Sequence, residues 1–234
     1  MSVEKDHIDT LLNTHSNFKN QQMDENISNE AFLDIQTSFF DNESQWYASQ
    51  ESRPNFTELR LKKIVEIPQK YMTINQSKEV LNILDVGTGT GVLIKYIEDT
   101  FPNTCIHALD LSSNQLKVVK SRHPNIEIYQ GDVSNFINPI KYDIIYCNAC
   151  FGNLLNQESA LKNMSNMLSK NGIIVISHPL GSGFVESLHQ SNSVIVPNTL
   201  PTSFKKINEL IKGANITIAE LIDIPDLYIC ILKR

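Results

Sequence analysis

Apolar runs and amphipathic segments alternate regularly between residues 80 and 177, and this alternation limits the fold more than any other sequence feature. The apolar runs, each predicted as a strand, cover 80–87, 104–110, 125–132, 141–150 and 172–177. Segments with helical spacing lie among them at 91–101, 112–123 and 158–170, the last closed by the stop signal Asn171-Gly172. Such alternation is typical of a parallel sheet with helices on both faces.

The end of the chain follows a different pattern. A helix is predicted over 203–215, followed by strands at 216–223 and 226–234 that are joined across Ile224-Pro225. So short a link can only join antiparallel strands, because a parallel crossover needs a dozen residues or more. We therefore predict an α/β fold: a doubly wound, mainly parallel seven-stranded sheet with a C-terminal antiparallel hairpin.

The first 79 residues lie outside this alternation. Residues 1–30 are rich in Asn, Gln, Ser and charge, and we predict a disordered N-terminal segment there. Residues 31–79 are predicted to form an N-terminal helical lid, which begins with the aromatic-rich stretch AFLDIQTSFFDNESQWYASQ and includes a helix within 57–72. The remaining residues, 80–234, are predicted to form the ligand-binding domain.

Composition and charge exclude several classes of partner. The 234 residues are 41% hydrophobic, and the formal net charge of −6 comes from interspersed acidic and basic residues. Proteins that bind nucleic-acid phosphates or anionic membranes by charge are basic, so we expect neither partner. No stretch approaches the ~20 apolar residues of a membrane span. The acidic N-terminus resembles no signal or transit peptide, so we expect a cytoplasmic protein, either a monomer or a homodimer.

Four scattered cysteines do not form a secreted disulfide framework. Cys147 and Cys150 make a C-x-x-C, which is compatible with a redox pair or half a zinc site. No second pair stands at a matching spacing, and the motif ends an apolar run instead of opening a helix. We therefore favour two buried small side chains and expect no metal site.

Gly87, Gly89 and Gly91 stand at every second position where a strand is predicted to become a helix. Glycines let the backbone turn tightly and approach a ligand, and the helix N-terminus offers free N–H groups. The triphosphate-binding pattern G-x-x-x-x-G-K-[ST] is absent. The dinucleotide pattern G-x-G-x-x-G requires a glycine where Val92 stands, which weakens a nicotinamide hypothesis.

The segment Asp85-Val86-Gly87-Thr88-Gly89-Thr90-Gly91 resembles motif I of the class I S-adenosylmethionine-dependent methyltransferases, a family with a Rossmann-like fold. Further segments resemble that family in the same order. Asp110 ends the second predicted strand, Gly131-Asp132-Val133 ends the third, Tyr142 to Phe151 resembles the fourth-strand motif, and Leu168 to Ser177 resembles the segment leading into strand five.

The resemblance implies S-adenosylmethionine as cofactor, with S-adenosylhomocysteine as its product. It implies that the glycine turn holds the methionine part, Asp110 the ribose hydroxyls, and Asp132 with Val133 the adenine. The alternative for each of these two aspartates is a cap on the next helix or turn. The implied cofactor-binding residues are Asp85, Gly87, Thr88, Gly89, Gly91, Asp110, Leu111, Asp132, Val133 and Asn148.

The resemblance also implies catalytic candidates. Asn148 falls beside the expected methyl position, with a turn residue as the alternative role. His178 ends strand five and is a candidate base or substrate-binding residue. The alternative is a histidine that simply packs or caps the next helix. Four aromatic residues resemble the lid and substrate wall of small-molecule methyltransferases: Phe40, Trp46, Tyr47 and Phe151. The alternative is that the N-terminal rings merely anchor the segment before residue 80 to the domain. Residues 181–202 are expected to border the substrate pocket.

The predicted function is therefore methyl transfer from S-adenosylmethionine to a small-molecule acceptor. The motif Asn148-Ala149-Cys150-Phe151 lacks the two prolines found in relatives that methylate adenine or glutamine, which favours a small molecule. Alternatives are an RNA or protein methyltransferase and a catalytically inactive S-adenosylmethionine-binding protein. A nicotinamide oxidoreductase is a further alternative.

Overall fold

The computed structural model describes residues 28–51, 57–72 and 80–234. The predicted disordered segment 1–30 thus lies almost entirely outside the described residues. The helices are α1 (Asn29–Glu51), α2 (Glu58–Glu66), α3 (Ile94–Thr100), α4 (Ser113–Arg122), α5 (Gln157–Met167), α6 (Gly181–Ser191) and α7 (Phe204–Leu210). Short 3-10 turns cover Ile67–Lys70 and Phe151–Asn153.

Seven strands form one sheet in the order β3-β2-β1-β4-β5-β7-β6. They are β1 (Leu81–Val86), β2 (Thr104–Asp110), β3 (Glu127–Gln130), β4 (Tyr142–Asn148), β5 (Leu168–His178), β6 (Thr217–Ile224) and β7 (Leu227–Lys233). Strands β1 to β5 are parallel, and β7 runs antiparallel to both β5 and β6. The predicted fold, including its terminal hairpin, is confirmed.

The central strands are apolar throughout because both faces of the sheet are covered. Alternate residues of β4 enter two separate cores: Ile145 and Cys147 pack on one face, and Ile144 and Tyr146 on the other. Burial on both sides therefore explains why these strands read as continuous apolar runs rather than as alternating ones.

Side-chain caps set the start of three helices. Ser112 Oγ accepts from Gln115 N–H, Asn156 Oδ1 from Ser159 N–H, and Ser203 Oγ from Lys206 N–H. Each cap supplies an acceptor to the free N–H groups of a first helical turn.

The prediction for the junction of α5 and β5 was wrong. Helix α5 ends at Met167, and β5 already begins at Leu168, so Asn171-Gly172 lies inside the strand instead of ending a helix. Asn171 has a φ of 68°, and the β4–β5 register shifts between Tyr142 and Ile144. A residue in the left-handed region bends a strand locally as readily as it ends a helix, and sequence alone does not separate the two.

Candidate active site

A cavity of about 220 Å³ opens at the carboxyl ends of the parallel strands, where β1 and β4 lie side by side. The chain leaves β1 towards β2 and leaves β4 towards β5, in opposite directions, so a crevice must form here. The cavity has two sides. The turn side comprises Asp85, Gly87, Gly89, Asp110 and Asp132; the lid side comprises Leu33, Gln36, Asn153, Leu154 and Leu155.

The glycine turn forms the floor of the turn side. Gly87 and Gly89 have φ values of 61° and 58°, in the region that glycine adopts without strain. The space above Gly87 is also filled, because a Cβ there would lie 2.5 Å from Cys150 Cβ. Both the backbone conformation and the packing therefore require glycine at position 87.

Asp110 ends β2 with its carboxylate facing the glycine turn. Oδ2 accepts from Gly89 N–H at 2.8 Å, and Oδ1 accepts from Ser112 N–H at 2.9 Å. Burial raises the pKa of Asp110, and these backbone hydrogen bonds oppose the rise. Asp110 thus ties the glycine turn to the start of α4 while lining the cavity.

Asp85 is the penultimate residue of β1 and is also buried at the cavity. Its Oδ2 accepts from the Thr88 hydroxyl at 2.7 Å. Burial raises the pKa of Asp85 to about 7, and the nearby charge of Asp110 adds to the rise. Two carboxylates in one buried space repel each other, so the turn side favours a ligand that brings positive charge or hydrogen-bond donors.

The end of β3 supplies the outer part of the turn side. Asp132 Oδ1 accepts from Ser134 N–H at 2.9 Å, so this aspartate does close a turn, as the alternative interpretation holds. Asp132 also lines the cavity, together with Val133 and with Leu111 from the end of β2. Capping and ligand contact are therefore compatible at this position.

Asn148, Ala149 and Cys150 line the cavity where β4 ends. Ser177 Oγ donates to Asn148 Oδ1 at 2.9 Å, and Ala149 has a φ of 54°. A left-handed residue other than glycine stores strain, which concentrates at functional sites. The Cys147 and Cys150 sulfurs lie 3.0 Å apart. Cys147 is buried as predicted, but the prediction was wrong for Cys150, which is half-buried because it lines the cavity.

Helix α1 covers the cavity. Its side chains Leu33, Gln36, Phe40 and Tyr47 line the space, and burial raises the pKa of Tyr47, which stays neutral. Asp41 Oδ1 accepts from the Ser112 hydroxyl at 2.5 Å and from Asn114 N–H at 2.9 Å, joining the lid helix to the start of α4.

Four predicted site residues do not line the cavity. Gly91 (φ 89°) lies beyond the turn against Ile94, Phe151 is buried in the core, and Trp46 packs edge-on against Tyr47. His178 is buried against Phe184, and its Nδ1 accepts from Leu180 N–H, the capping role given above as its alternative. Burial lowers the pKa of His178 to about 3, so it is neutral.

Residues 181–202 also differ from expectation. They form α6 and a following loop, and none of them lines the cavity. The Ile195 carbonyl instead holds two lining side chains from behind, Gln36 and Asn153. The segment supports the lid side and does not contact the space itself.

Sequence reasoning missed Gln36 and Asp41. Gln36 stands four residues after Phe32 and four before Phe40, so its place on the inner face of α1 was readable from helical spacing. Nothing in the sequence indicates that Asp41 contacts α4, because its partners lie more than 70 residues away.

Within the described ranges, no group of three or more His, Cys, Asp and Glu side chains is arranged to hold a metal ion. Nor does any helix there have the length and apolar character needed to cross a membrane.

The fold and the cavity define a Rossmann-like protein with a ligand site at its switch point. Residues 53–221 match the family model described as "Methyltransferase domain", which covers most of the chain. The chain therefore belongs to this methyltransferase-domain family.

Curated relatives match part of the chain. Malonyl-[acyl-carrier protein] O-methyltransferase 2 of Ilyobacter polytropus is 34% identical over 107 residues, which are 44% of this chain and 41% of that protein. Malonyl-[acyl-carrier protein] O-methyltransferase 1 of the same organism is 31% identical over 146 residues, 61% of this chain and 54% of that protein. The chain thus spans about half the length of these relatives.

One solved structure matches nearly the whole chain. The plantazolicin methyltransferase BpumL, in complex with a monoazolic desmethylPZN analog and SAH, superposes with a TM-score of 0.66 and 15% identity. The match covers 97% of this chain and 99% of that one. At this identity it establishes the shared fold.

Proposed function

We propose that the protein transfers a methyl group from S-adenosylmethionine to a small-molecule acceptor. The observation that carries the proposal is the Asp110 carboxylate, buried at the end of β2 and fixed by Gly89 N–H beside the left-handed glycine turn. Such a carboxylate is placed to accept from two adjacent hydroxyl groups of a ribose.

The residues of the turn side fit this cofactor. S-adenosylmethionine carries an ammonium group and a sulfonium, and its ribose hydroxyls and adenine amine are hydrogen-bond donors. The buried carboxylates of Asp85 and Asp110 lack a cationic partner among the residues that line the described cavity. Asp132 offers a further acceptor at the adenine end, and the glycine turn leaves room for a close backbone approach.

The chemistry of a sulfonium methyl group is supplied by the cofactor, since that carbon is already activated for in-line attack. The protein's part is to orient the acceptor and to exclude water. Helix α1 performs the second task by closing the cavity with Leu33, Phe40 and Tyr47. Asn148, held by the Ser177 hydroxyl, is proposed to position the reacting groups at the end of β4.

A catalytic base is not assigned. His178 is neutral and lies outside the cavity lining, so its predicted catalytic role is not part of this proposal. The cytoplasmic location and the monomeric or homodimeric state stay predictions. The same holds for the absence of a nucleic-acid partner.

The proposal is tested by incubating the full chain with methyl-labelled S-adenosylmethionine and a cell extract separated into low-mass and macromolecular fractions. We expect label in a low-mass product that is separated from unreacted S-adenosylmethionine, and no such product with a Gly89→Val variant. Label confined to protein or RNA would contradict the small-molecule assignment. No transfer, together with no binding of S-adenosylhomocysteine, would contradict the methyltransferase assignment itself.

A further inference from the structure

Gln36 of the lid helix is a buried polar side chain with an unusual set of partners. It is 1% exposed and lines the cavity. Its Nε2 donates to two backbone carbonyl oxygens, that of Asn153 at 2.7 Å and that of Ile195 at 2.9 Å. Both amide protons of Gln36 are therefore used within the protein.

These two hydrogen bonds fix the orientation of the amide. A carbonyl oxygen only accepts, so rotating the Gln36 amide by 180° would set Oε1 against two other acceptors. Oε1 is thus an acceptor in a known position. It has no donor among the described residues, although leaving such a buried group unpaired costs about 1–3 kcal/mol.

Asn153 repeats the arrangement on the same side of the cavity. Its Nδ2 donates to the Ile195 carbonyl at 3.1 Å, so its Oδ1 is also an acceptor of fixed orientation. The single carbonyl of Ile195 thus orients two side-chain amides, which leave their oxygen atoms for a ligand. The lid side carries no charge but presents two hydrogen-bond acceptors, Gln36 Oε1 and Asn153 Oδ1.

We propose that Gln36 Oε1 accepts a hydrogen bond from the compound that receives the methyl group. That compound is therefore a hydroxyl or amine compound rather than a carboxylate. This inference rests on the proposed function. A carboxylate would bring lone pairs against Gln36 Oε1 and Asn153 Oδ1 and negative charge into a cavity that already holds aspartates. The malonyl group in the names of the two curated relatives ends in a carboxylate, so the acceptor class differs from theirs.

The hydrogen bond also sets the geometry of transfer. With its proton directed at Gln36 Oε1, the acceptor oxygen or nitrogen turns a lone pair away from the lid. That lone pair forms the new bond to the methyl carbon, and the carbon–sulfur bond breaks with its electron pair left on sulfur. The proton stays on the methylated acceptor, hydrogen-bonded to Gln36 Oε1, and passes to solvent water when the product leaves the closed cavity.

The chemical stability of the labelled product tests the acceptor class with the unaltered protein. Mild alkali hydrolyses methyl esters and releases volatile labelled methanol, whereas methyl ethers and N-methyl amines keep their label. We expect at least roughly nine-tenths of the label in the low-mass product, freed of unreacted S-adenosylmethionine, to stay in non-hydrolysable form after alkali, because a site that hydrogen-bonds its substrate discriminates strongly against one that cannot donate. Label recovered as methanol would overturn the inference and leave the proposed function intact. Absence of any labelled product would overturn both.

A matched pair of variants tests the role of Gln36 itself. Gln157 also donates from Nε2 to two carbonyls, of Phe151 and Thr199, but stands outside the cavity lining. We expect Gln36→Met to reduce transfer into the low-mass fraction at least tenfold with S-adenosylhomocysteine affinity within twofold, and Gln157→Met to retain transfer. An equal loss in both variants would assign Gln36 a structural role only. If Gln36→Met also lost S-adenosylhomocysteine affinity, the group that donates to Gln36 Oε1 would belong to the cofactor and not to the methyl acceptor, which would overturn the inference.

Discussion

The turn side and the lid side of the cavity are built in different ways. The turn side is local: Asp85, Gly87 and Gly89 lie within five residues at the end of β1, and Asp110 ends the neighbouring strand. The lid side joins distant parts of the chain, since Gln36 is 117 residues from Asn153 and 159 from Ile195. The turn side carries charge and left-handed backbone, while the lid side carries neutral amides and apolar side chains.

This difference explains what each side contributes. The turn side combines the backbone groups of one glycine turn with the buried carboxylates of Asp85 and Asp110. The lid side consists of single side chains from separate elements, so one substitution there can alter which methyl acceptor fits. We therefore expect charge-dependent effects on the turn side and acceptor-dependent effects on the lid side.

The largest expected effect is the pH dependence due to Asp85. Its pKa of about 7 in the folded state exceeds the unfolded value of about 3.9, so the folded state binds the extra proton. The resulting stability is complete below pH ~4 and is lost as pH rises through ~7, at most about 4 kcal/mol. Asp85→Asn should flatten this fall in the free energy of unfolding, measured by urea denaturation of the ligand-free protein.

Gln36→Met provides the control on the lid side, because it removes no titrating group. Its stability should follow the same pH curve as the wild type, displaced downwards. Curves for Asp85→Asn and wild type that run parallel between pH 4 and 7 would show that Asp85 is not protonated in the folded protein.

The next effect concerns the glycine turn. Gly87→Ala places a Cβ 2.5 Å from Cys150 Cβ at a φ of 61°, so the turn must shift. We expect a loss of about 3 kcal/mol, from left-handed strain and overpacking together, shared between folding and S-adenosylhomocysteine binding. Gly183→Ala, in helix α6 with open space around the added Cβ, should leave binding unchanged and raise stability slightly, by roughly 0.4–1 kcal/mol. Equal behaviour of the two variants in denaturation and titration would remove the steric account of Gly87.

Asp110→Ala should have a smaller effect, confined mainly to the cofactor. We expect at least tenfold weaker S-adenosylhomocysteine binding, from the loss of charge-assisted hydrogen bonds of ~1.5–3 kcal/mol. Calorimetric titration measures the affinity, and a denaturation curve checks that the turn still folds without the bond to Gly89. Unchanged affinity in a folded variant would refute the ribose assignment.

The smallest effect tests whether the lid helix also serves the cofactor. Asp41→Ala removes the acceptor for Ser112 Oγ and Asn114 N–H, a cap-like loss of about 1 kcal/mol. S-adenosylhomocysteine should then dissociate about fivefold faster in stopped-flow measurements, because the closed lid is less stable. Asp34→Ala, exposed on the same helix, is the matched control. Identical rates for both would mean that lid opening does not limit release.

The two sides also differ in what the sequence reveals. Strand and helix periodicity predicted the seven strands and the terminal hairpin, because buried parallel strands and a two-residue link leave few alternatives. The locations of Asp85, the glycines, Asp110 and Asp132 at one edge follow from the same topology, since each follows or ends a parallel strand. Their roles in binding stay predictions.

The differences from expectation have a common physical cause. Asn171 was interpreted from its neighbours, but it lies in β5 where the register with β4 shifts. Phe151 and His178 lie against core side chains that no local pattern locates, and their predicted site roles stay predictions. The orientation of Gln36 depends on carbonyl groups that no local pattern can locate. Such tertiary contacts determine the structure of the lid side, so the methyl acceptor could not be predicted from the sequence.

The proposed function requires that the turn side bind a sulfonium cofactor rather than a nicotinamide. Calorimetric titration of the full chain with S-adenosylhomocysteine and, separately, with NADH tests it most directly. We predict one site for S-adenosylhomocysteine with a dissociation constant on the order of 1–10 μM and no heat from NADH. Binding of NADH with no heat from S-adenosylhomocysteine would contradict the claim.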